Sequence, residues 1–376
     1  MKRIIIFIIF LIIFSFGANA ESEDTKTASD FGGDDLLNAL PDETRNLLNE
    51  SEITPDNAGA LSITPFTVLN GLWRVFADEV TKPLKMLAAL TGIILLCAVS
   101  ETLRDGAAGS GNPRMASDAF GIVGVLAGAG MMIVYISDSV ARAVQTLDAA
   151  AVFLMTFVPI FAGIMAVCGQ LTTASVFGAS VVVAGQVFAY ITTGLLAPLV
   201  SCILGVSTAG AVNPDLKIDR LAETVKKIVV WTLGLLVTVF TGLLSLQSLV
   251  SSAADSVALK AMKFTVSNSV PIVGGAVSDA LSTVRGSLNL LRGSTGTFGI
   301  IAGLALIVPT LVSVFCHKLA LSLAAAICDI FGVNRLSTLL KSGENVMTII
   351  FAMLFCFTLV LIISVAMMLI IWNGNL

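Results

Sequence analysis

The chain is 376 residues long, 56% hydrophobic and 12% charged, with a formal net charge of -4. A soluble domain carries about 25% charged residues, so this composition excludes an ordinary water-soluble globule. A single histidine and six cysteines (97, 168, 202, 316, 328 and 356), all inside apolar stretches and without a CxxC pair, exclude a disulfide framework and leave too few ligands for a zinc or di-metal centre.

Residues 1–20 have the plan of a secretory signal peptide. Lys2-Arg3 supply the charged start, Ile4 to Phe16 the short apolar run, and Ala18-Asn19-Ala20 a small-residue cleavage site ahead of Glu21. An uncleaved anchor is the alternative. Cleavage would leave the mature N-terminus extracytoplasmic. Residues 21–64 follow as an acidic tail, with eleven Asp and Glu between 21 and 60 against only Lys26 and Arg45. Leu36, Leu37 and Leu40 before Pro41, then Leu47 and Leu48, predict two short leucine-bearing turns or helices, either solvated or docking an extracytoplasmic partner. Thr64-Pro65 then opens a predicted interfacial amphipathic helix over 65–83, with Leu69, Trp73, Phe76 and Val80 on one face.

Residues 84–376 form the membrane domain. Apolar stretches near 84–100, 119–137, 149–168, 174–206, 228–250, 298–333 and 347–372 each approach or exceed the ~20 residues that a bilayer helix needs. They lack the alternation of barrel strands, and backbone groups in lipid must bond internally, so the spans are helices. The expected fold class is an all-α polytopic integral membrane protein with six to eight transmembrane helices.

Two stretches are too long and irregular for one straight pass. Residues 174–206 contain Gly178, Gly185, Gln186, Tyr190, Gly194 and Pro198, and 298–333 contain Gly299, Gly303, Pro309, His317 and Lys318. Both are expected to be broken or re-entrant. A weak internal echo pairs them: Val158-Pro159-Ile160 precedes the first and Val270-Pro271-Ile272 the second, as in transporters with a path between two halves. Elsewhere, Gly124 and Gly128 form a G-x-x-x-G pair for close helix packing. The connection 251–297 is expected to hold two amphipathic helices, at the membrane surface or lining a cavity. Both 207–227 and 251–297 are basic although a single span separates them, so the positive-inside rule leaves the orientation open.

No catalytic constellation is present. The chain has no P-loop, no H-E-x-x-H and no second histidine, so it is read as a non-enzyme without a cofactor, and nucleic-acid binding has no basic, aromatic-rich stripe to support it. The chemical signal that remains is polar residues inside apolar helices, each costly unless paired or hydrated. Candidate path or gating positions are Gly185, Gln186, Pro198, Pro309, His317 and Lys318, with Gly274, Gly275 and Asp279 at the head of the second series. The plain alternatives are snorkelling for Lys318, kinked packing for the prolines and interhelical bonding for the amides.

The signal, the acidic leucine-bearing tail, the T-P-F helix start, the glycine-rich spans and the phrase Ser269-Val270-Pro271-Ile272-Val273-Gly274-Gly275-Ala276-Val277-Ser278-Asp279-Ala280 together resemble the stage III sporulation protein AE family. That resemblance implies a membrane component, permease-like or export-gate-like, of a secretion-like channel joining mother cell and forespore. Its implied site is the mother-cell membrane around the forespore, and its implied partners are an ATPase-like subunit and ring-forming proteins, with a homo-oligomer possible. The family brings no catalytic residues. An autonomous secondary transporter and a non-conducting assembly scaffold are the competing readings.

Overall fold

The computed structural model describes residues 32–58, 77–106, 114–212, 219–269 and 274–370, apart from positions 52, 78, 192–193 and 195–196. The signal peptide, most of the 65–83 segment and Pro271 therefore lie outside the described residues. Those that are described form helices only: α1 (Gly33–Asn38), α2 (Asp42–Glu50), α3 (Thr81–Gly106), α4 (Arg114–Val167), α5 (Leu171–Ala189), α6 (Ala197–Val212), α7 (Asp219–Ser269), α8 (Gly274–Ile330) and α9 (Asn334–Ile370). Six of them carry stretches long and apolar enough to cross a membrane: Thr81–Val99, Val123–Val167, Leu171–Ala189, Ala222–Ala261, Leu290–Ile330 and Asn334–Leu369. The protein is a polytopic all-α membrane protein.

The rods are longer than the apolar stretches predict. The sequence pattern makes 119–137 and 149–168 separate spans, but Val167 closes one continuous α4 of 54 residues, about 80 Å long at 1.5 Å per residue. The charges between the two stretches do not break it. Arg142 Nε meets Asp138 Oδ2 at 3.0 Å, one turn along the helix surface, so the charges are satisfied without a loop. Likewise 251–269 continues α7 and 274–297 opens α8, so the amphipathic connection is two extensions of spanning helices and not a pair of separate surface helices. The apolar length of α4, Val123 to Val167, is about twice the ~30 Å of a hydrocarbon core.

Side-chain contacts fix the directions. Phe157 against Gly299, Thr146 against Thr310 and Tyr135 against His317 make α4 and α8 antiparallel. Gly296 against Leu369, Gly303 against Leu361 and Phe315 against Phe351 do the same for α8 and α9. Leu336 at Gly128 and Met132 at Gly343 set α9 parallel to α4. One end of the bundle is thus the tight α8–α9 turn, where Gly332 takes φ +76° and Asp329 accepts from Ser337 Oγ at 2.5 Å and pairs with Lys341 Nζ at 2.9 Å. The other end holds the α4–α5 turn, with Gly169 at φ +86°, and the close of α9. The basic flanks of the 228–250 span lie at opposite ends, because Lys226 Nζ reaches Asn345 Oδ1 at 2.6 Å near the first, while Asp255 meets α5 at the second.

Nearly every described apolar residue of α9 is buried or half-buried, and none is strongly exposed. It is the central helix, packed against α4, α5, α6, α7 and α8. By contrast α7 shows an outward apolar stripe of Ile228, Trp231, Leu235, Val239, Leu243, Leu246 and Val250, the pattern of a lipid-facing helix.

The acidic tail docks on its own chain. Leu36, Leu40 and Leu48 are buried in the main apolar core, and Ser294 Oγ of α8 donates to the carbonyls of Pro55 and Asp56 at 2.8 and 2.7 Å. The two short helices form as the sequence predicts, and four of the five leucines pack on the core, Leu36, Leu40 and Leu48 buried and Leu37 half-buried, while Leu47 is exposed. Arg45 ties them together: its Nε donates to Leu37 O at 2.9 Å and its Nη2 to Asn38 O and Leu40 O at 3.2 Å, closing the carbonyl end of α1. Arg45→Ala frees those carbonyls and should weaken docking by about 1 kcal/mol. The check is limited proteolysis in detergent, where cleavage between 38 and 58 should quicken several-fold while the helical core stays protected.

Candidate functional site: a polar belt at mid-bundle

One set of polar groups on α4 and α8 lies at a common height. On α4, Tyr135, Asp138, Ser139, Arg142 and Thr146 occupy three turns, about 17 Å of helix. On α8, Thr310, Ser313 and His317 face them. Thr146 Oγ1 and Thr310 Oγ1 lie 2.8 Å apart, so one hydroxyl donates to the other across two helices 164 residues apart in sequence. Charges here have apolar helix on both sides: Leu147, Ala150, Phe153, Leu154 and Phe157 are buried above them, and Val125, Ala129 and Met132 below.

His317 is the most enclosed of these groups after Ser139, with 5% of its surface exposed. Its ring sits 6.1 Å from that of Tyr135, and Nδ1 lies 2.8 Å from the carbonyl oxygen of Ser313. A carbonyl only accepts, so the proton resides on Nδ1 and the lone pair on Nε2. Glu79, just ahead of α3, is half-buried, and among the described residues its buried Oε2 has no hydrogen-bond partner.

The expected breaks fare differently. The helix over 171–212 is interrupted: α5 ends at Ala189, Tyr190, Ile191 and Gly194 lie in a wider π-type turn, and α6 resumes at Ala197. Pro198 stands in the first turn of α6, where its missing N–H costs nothing, so it restarts the helix rather than breaking it. Because α5 starts at the tail end and α7 starts near Asn345, α5 and α6 together return the chain along the bundle. Pro309, in contrast, lies inside α8, which runs unbroken from Gly274 to Ile330, and the expected break there is absent. Pro159 is likewise inside α4, and its counterpart in the internal echo, Pro271, lies outside the described residues.

The remaining candidates scatter. Gly185 is buried against Leu154, a packing position. The neighbouring Gln186 reaches Met155 Sδ from Nε2 at 3.6 Å. Lys318 is half-buried, one residue beyond His317, and forms no ion pair among the described residues. Gly274 and Gly275 are the first residues of α8, well along the extension beyond the tail end, and the side chain of Asp279 lies outside the described residues. Gly124 and Gly128 serve intrachain packing, touching Cys97 of α3 and Leu336 of α9. The structure thus brings His317 to the belt, keeps Pro309 one residue from the Thr146–Thr310 bond, and leaves the others apart.

Sequence reasoning passed over Asp138, Arg142 and Thr146. The signal was present in part: Asp138 and Arg142 have the i,i+4 spacing of a helix-surface pair, which argues for helix through the charged stretch instead of a loop. Among the described residues no cluster of three or more His, Cys, Asp or Glu is arranged to hold a metal ion.

Comparison with known proteins agrees with this architecture at the level of family. The chain is 23% identical over 318 residues to the stage III sporulation protein AE of Bacillus subtilis (strain 168), covering 85% of this chain and 78% of that protein. No solved structure matches. The sequence profile of stage III sporulation protein AE matches residues 49–371, which takes in every helix from α3 to α9, and the chain belongs to that family.

Proposed function

We propose that the protein is a non-enzymatic membrane component of a sporulation-specific secretion-like channel between mother cell and forespore, acting as a permease-like or export-gate-like subunit. It would sit in the mother-cell membrane around the forespore and work with an ATPase-like subunit and ring-forming proteins. The observation that carries the gate reading is the polar belt: the buried Ser139, Ser313 and His317, with the partly exposed Asp138–Arg142 pair beside them, between apolar stretches of α4. Such groups are retained inside membrane helices at a cost, which function offsets. The wider π-type turn between α5 and α6 supports the same reading, because such turns within helices recur at functional sites.

The test is replacement of His317 by Ala and of Arg142 by Leu in a spore-forming host. Heat-resistant spore counts should fall by about tenfold or more while the protein accumulates normally. Normal counts with normal accumulation would leave only the scaffold reading. An autonomous transporter makes a different prediction: the purified chain alone in liposomes would move solute, whereas a gate that needs its partners stays inert there.

A further inference from the structure

We propose that Arg292 of α8, with Thr295 one turn beyond it, seats the phosphate of an anionic phospholipid at the tail end of the bundle. Arg292 has 3% of its surface exposed and forms no ion pair among the described residues. Its Nη2 donates to the carbonyl of Met368 in the last turn of α9, while Nε and Nη1 are buried without a hydrogen-bond partner. A guanidinium keeps its proton, so it cannot escape the cost of burial by becoming neutral as a lysine does. One uncharged carbonyl does not balance it. The donors on its two other nitrogens call for an anion with several acceptor oxygens, which phosphate supplies.

The carboxylates described at this end are otherwise engaged or turned away. Asp255 spends both oxygens on Thr172 and Thr173, and Asp56 of the docked tail is exposed. Leu288, Arg292, Thr295 and Gly299 share one face of α8, on which Leu288 packs with Ile164 and Cys168 at the close of α4 and Gly299 meets Phe157. Thr295 is fully buried and its Oγ1 has no partner, so the face carries a second uncommitted donor one turn from the guanidinium. The height is that of a headgroup: the apolar stretches of α4 and α9 end at Val167 and Leu369, and those of α5 and α8 begin at Leu171 and Leu290. Basic groups set between helices at that level recur as seats for anionic headgroups. Beside Arg292, Gly286, Leu290 and Gly293 follow at helical spacing; Leu290 is exposed, and neither glycine has an atom within 4 Å of where a Cβ would stand. That open apolar strip gives an acyl chain a track next to the phosphate seat. The inference is independent of the gate reading of the polar belt.

The test uses the full-length protein, delipidated in a nonionic maltoside detergent and titrated separately with phosphatidylglycerol, phosphatidylcholine and inorganic phosphate. Bound lipid is counted by native mass spectrometry and the thermal midpoint is followed in parallel. Phosphatidylglycerol should bind at least about tenfold more tightly than phosphatidylcholine and raise the midpoint, and Arg292→Gln should lose about tenfold of that affinity. Thr295→Val should lose about threefold. Arg292→Lys keeps the charge on a similar stem and covers the case in which the Gln variant does not fold; it should stay folded and bind phosphatidylglycerol several-fold more weakly. Equal binding of the two lipids by the wild type, or undiminished phosphatidylglycerol binding in a folded Arg292 variant, overturns the proposal. Inorganic phosphate that alone reproduces the full rise in midpoint overturns the lipid as the source of the phosphate.

Discussion

Replacing Asp255 with Ala should destabilise the bundle by about 2–4 kcal/mol, the largest effect expected of any single side chain outside the core. Asp255 is on α7 and is buried, with 4% of its surface exposed. Its Oδ1 accepts from the backbone N–H of Thr172 at 2.9 Å, and its Oδ2 accepts from the N–H of Thr173 at 2.9 Å and the hydroxyl of Thr173 at 2.6 Å. These are the first turn of α5, whose own N-cap residue, Gln170, makes no side-chain capping bond. A residue 82 positions away therefore supplies the cap. A local cap contributes about 1 kcal/mol, and bonds to a charged acceptor about 1.5–3 kcal/mol. Removal also strands the buried Thr173 hydroxyl and two N–H groups at the positive end of a helix. The measurement is the thermal midpoint of the protein in detergent, with Asp255→Asn falling between wild type and Ala because its amide keeps one acceptor oxygen. An Ala variant as stable as wild type would show that the α5 terminus finds other acceptors.

Filling the space at Gly299 should cost about 1–3 kcal/mol as Ala and more as Val, since overpacking a closed core forces backbone or ring movement. A Cβ there would fall on the ring of Phe157, nearer than real Cβ atoms come. Phe157 cannot yield easily: it is fully buried and stacked between Phe153 at 5.7 Å and Phe161 at 5.4 Å, centroid to centroid. Alanine gains about 1 kcal/mol of helix propensity over glycine, which reduces the penalty without reversing it. Combining Gly299→Ala with Phe157→Leu should recover part of the loss, and the coupling measured by the double-mutant cycle identifies the contact. Strictly additive losses would mean that the two residues do not share that space.

Much of this arrangement can be read from the sequence where the signal is local. Apolar length and the absence of alternation give helical spans; Leu36, Leu40 and Leu48 announce two short helices; and the glycine-rich run before Pro198 marks the one interruption that the structure keeps. Local signals mislead where a charge or proline is satisfied within a helix. Asp138 and Arg142 resemble a loop only until they are seen as neighbours one turn apart, and Pro309 suggests a break although a helix already well past its span boundary at Leu290 holds its course through it. The long-range pairs leave no trace in spacing at all. Thr146 with Thr310, Asp255 with Thr172 and Thr173, and Ser294 with Pro55 and Asp56 are separated by 82 to 239 positions, and only the packed bundle brings them together.

The central position of α9 bears on how the protein is made. Every helix that α9 touches is synthesised before it, so α4 through α8 must wait in the bilayer around an unfilled axis, their inward residues meeting lipid or one another, until residues 334–370 leave the ribosome. Maturation then hinges on the arrival of one hydrophobic rod, and a premature stop anywhere in those 37 residues would leave an inserted but unassembled sleeve for quality-control proteases to clear.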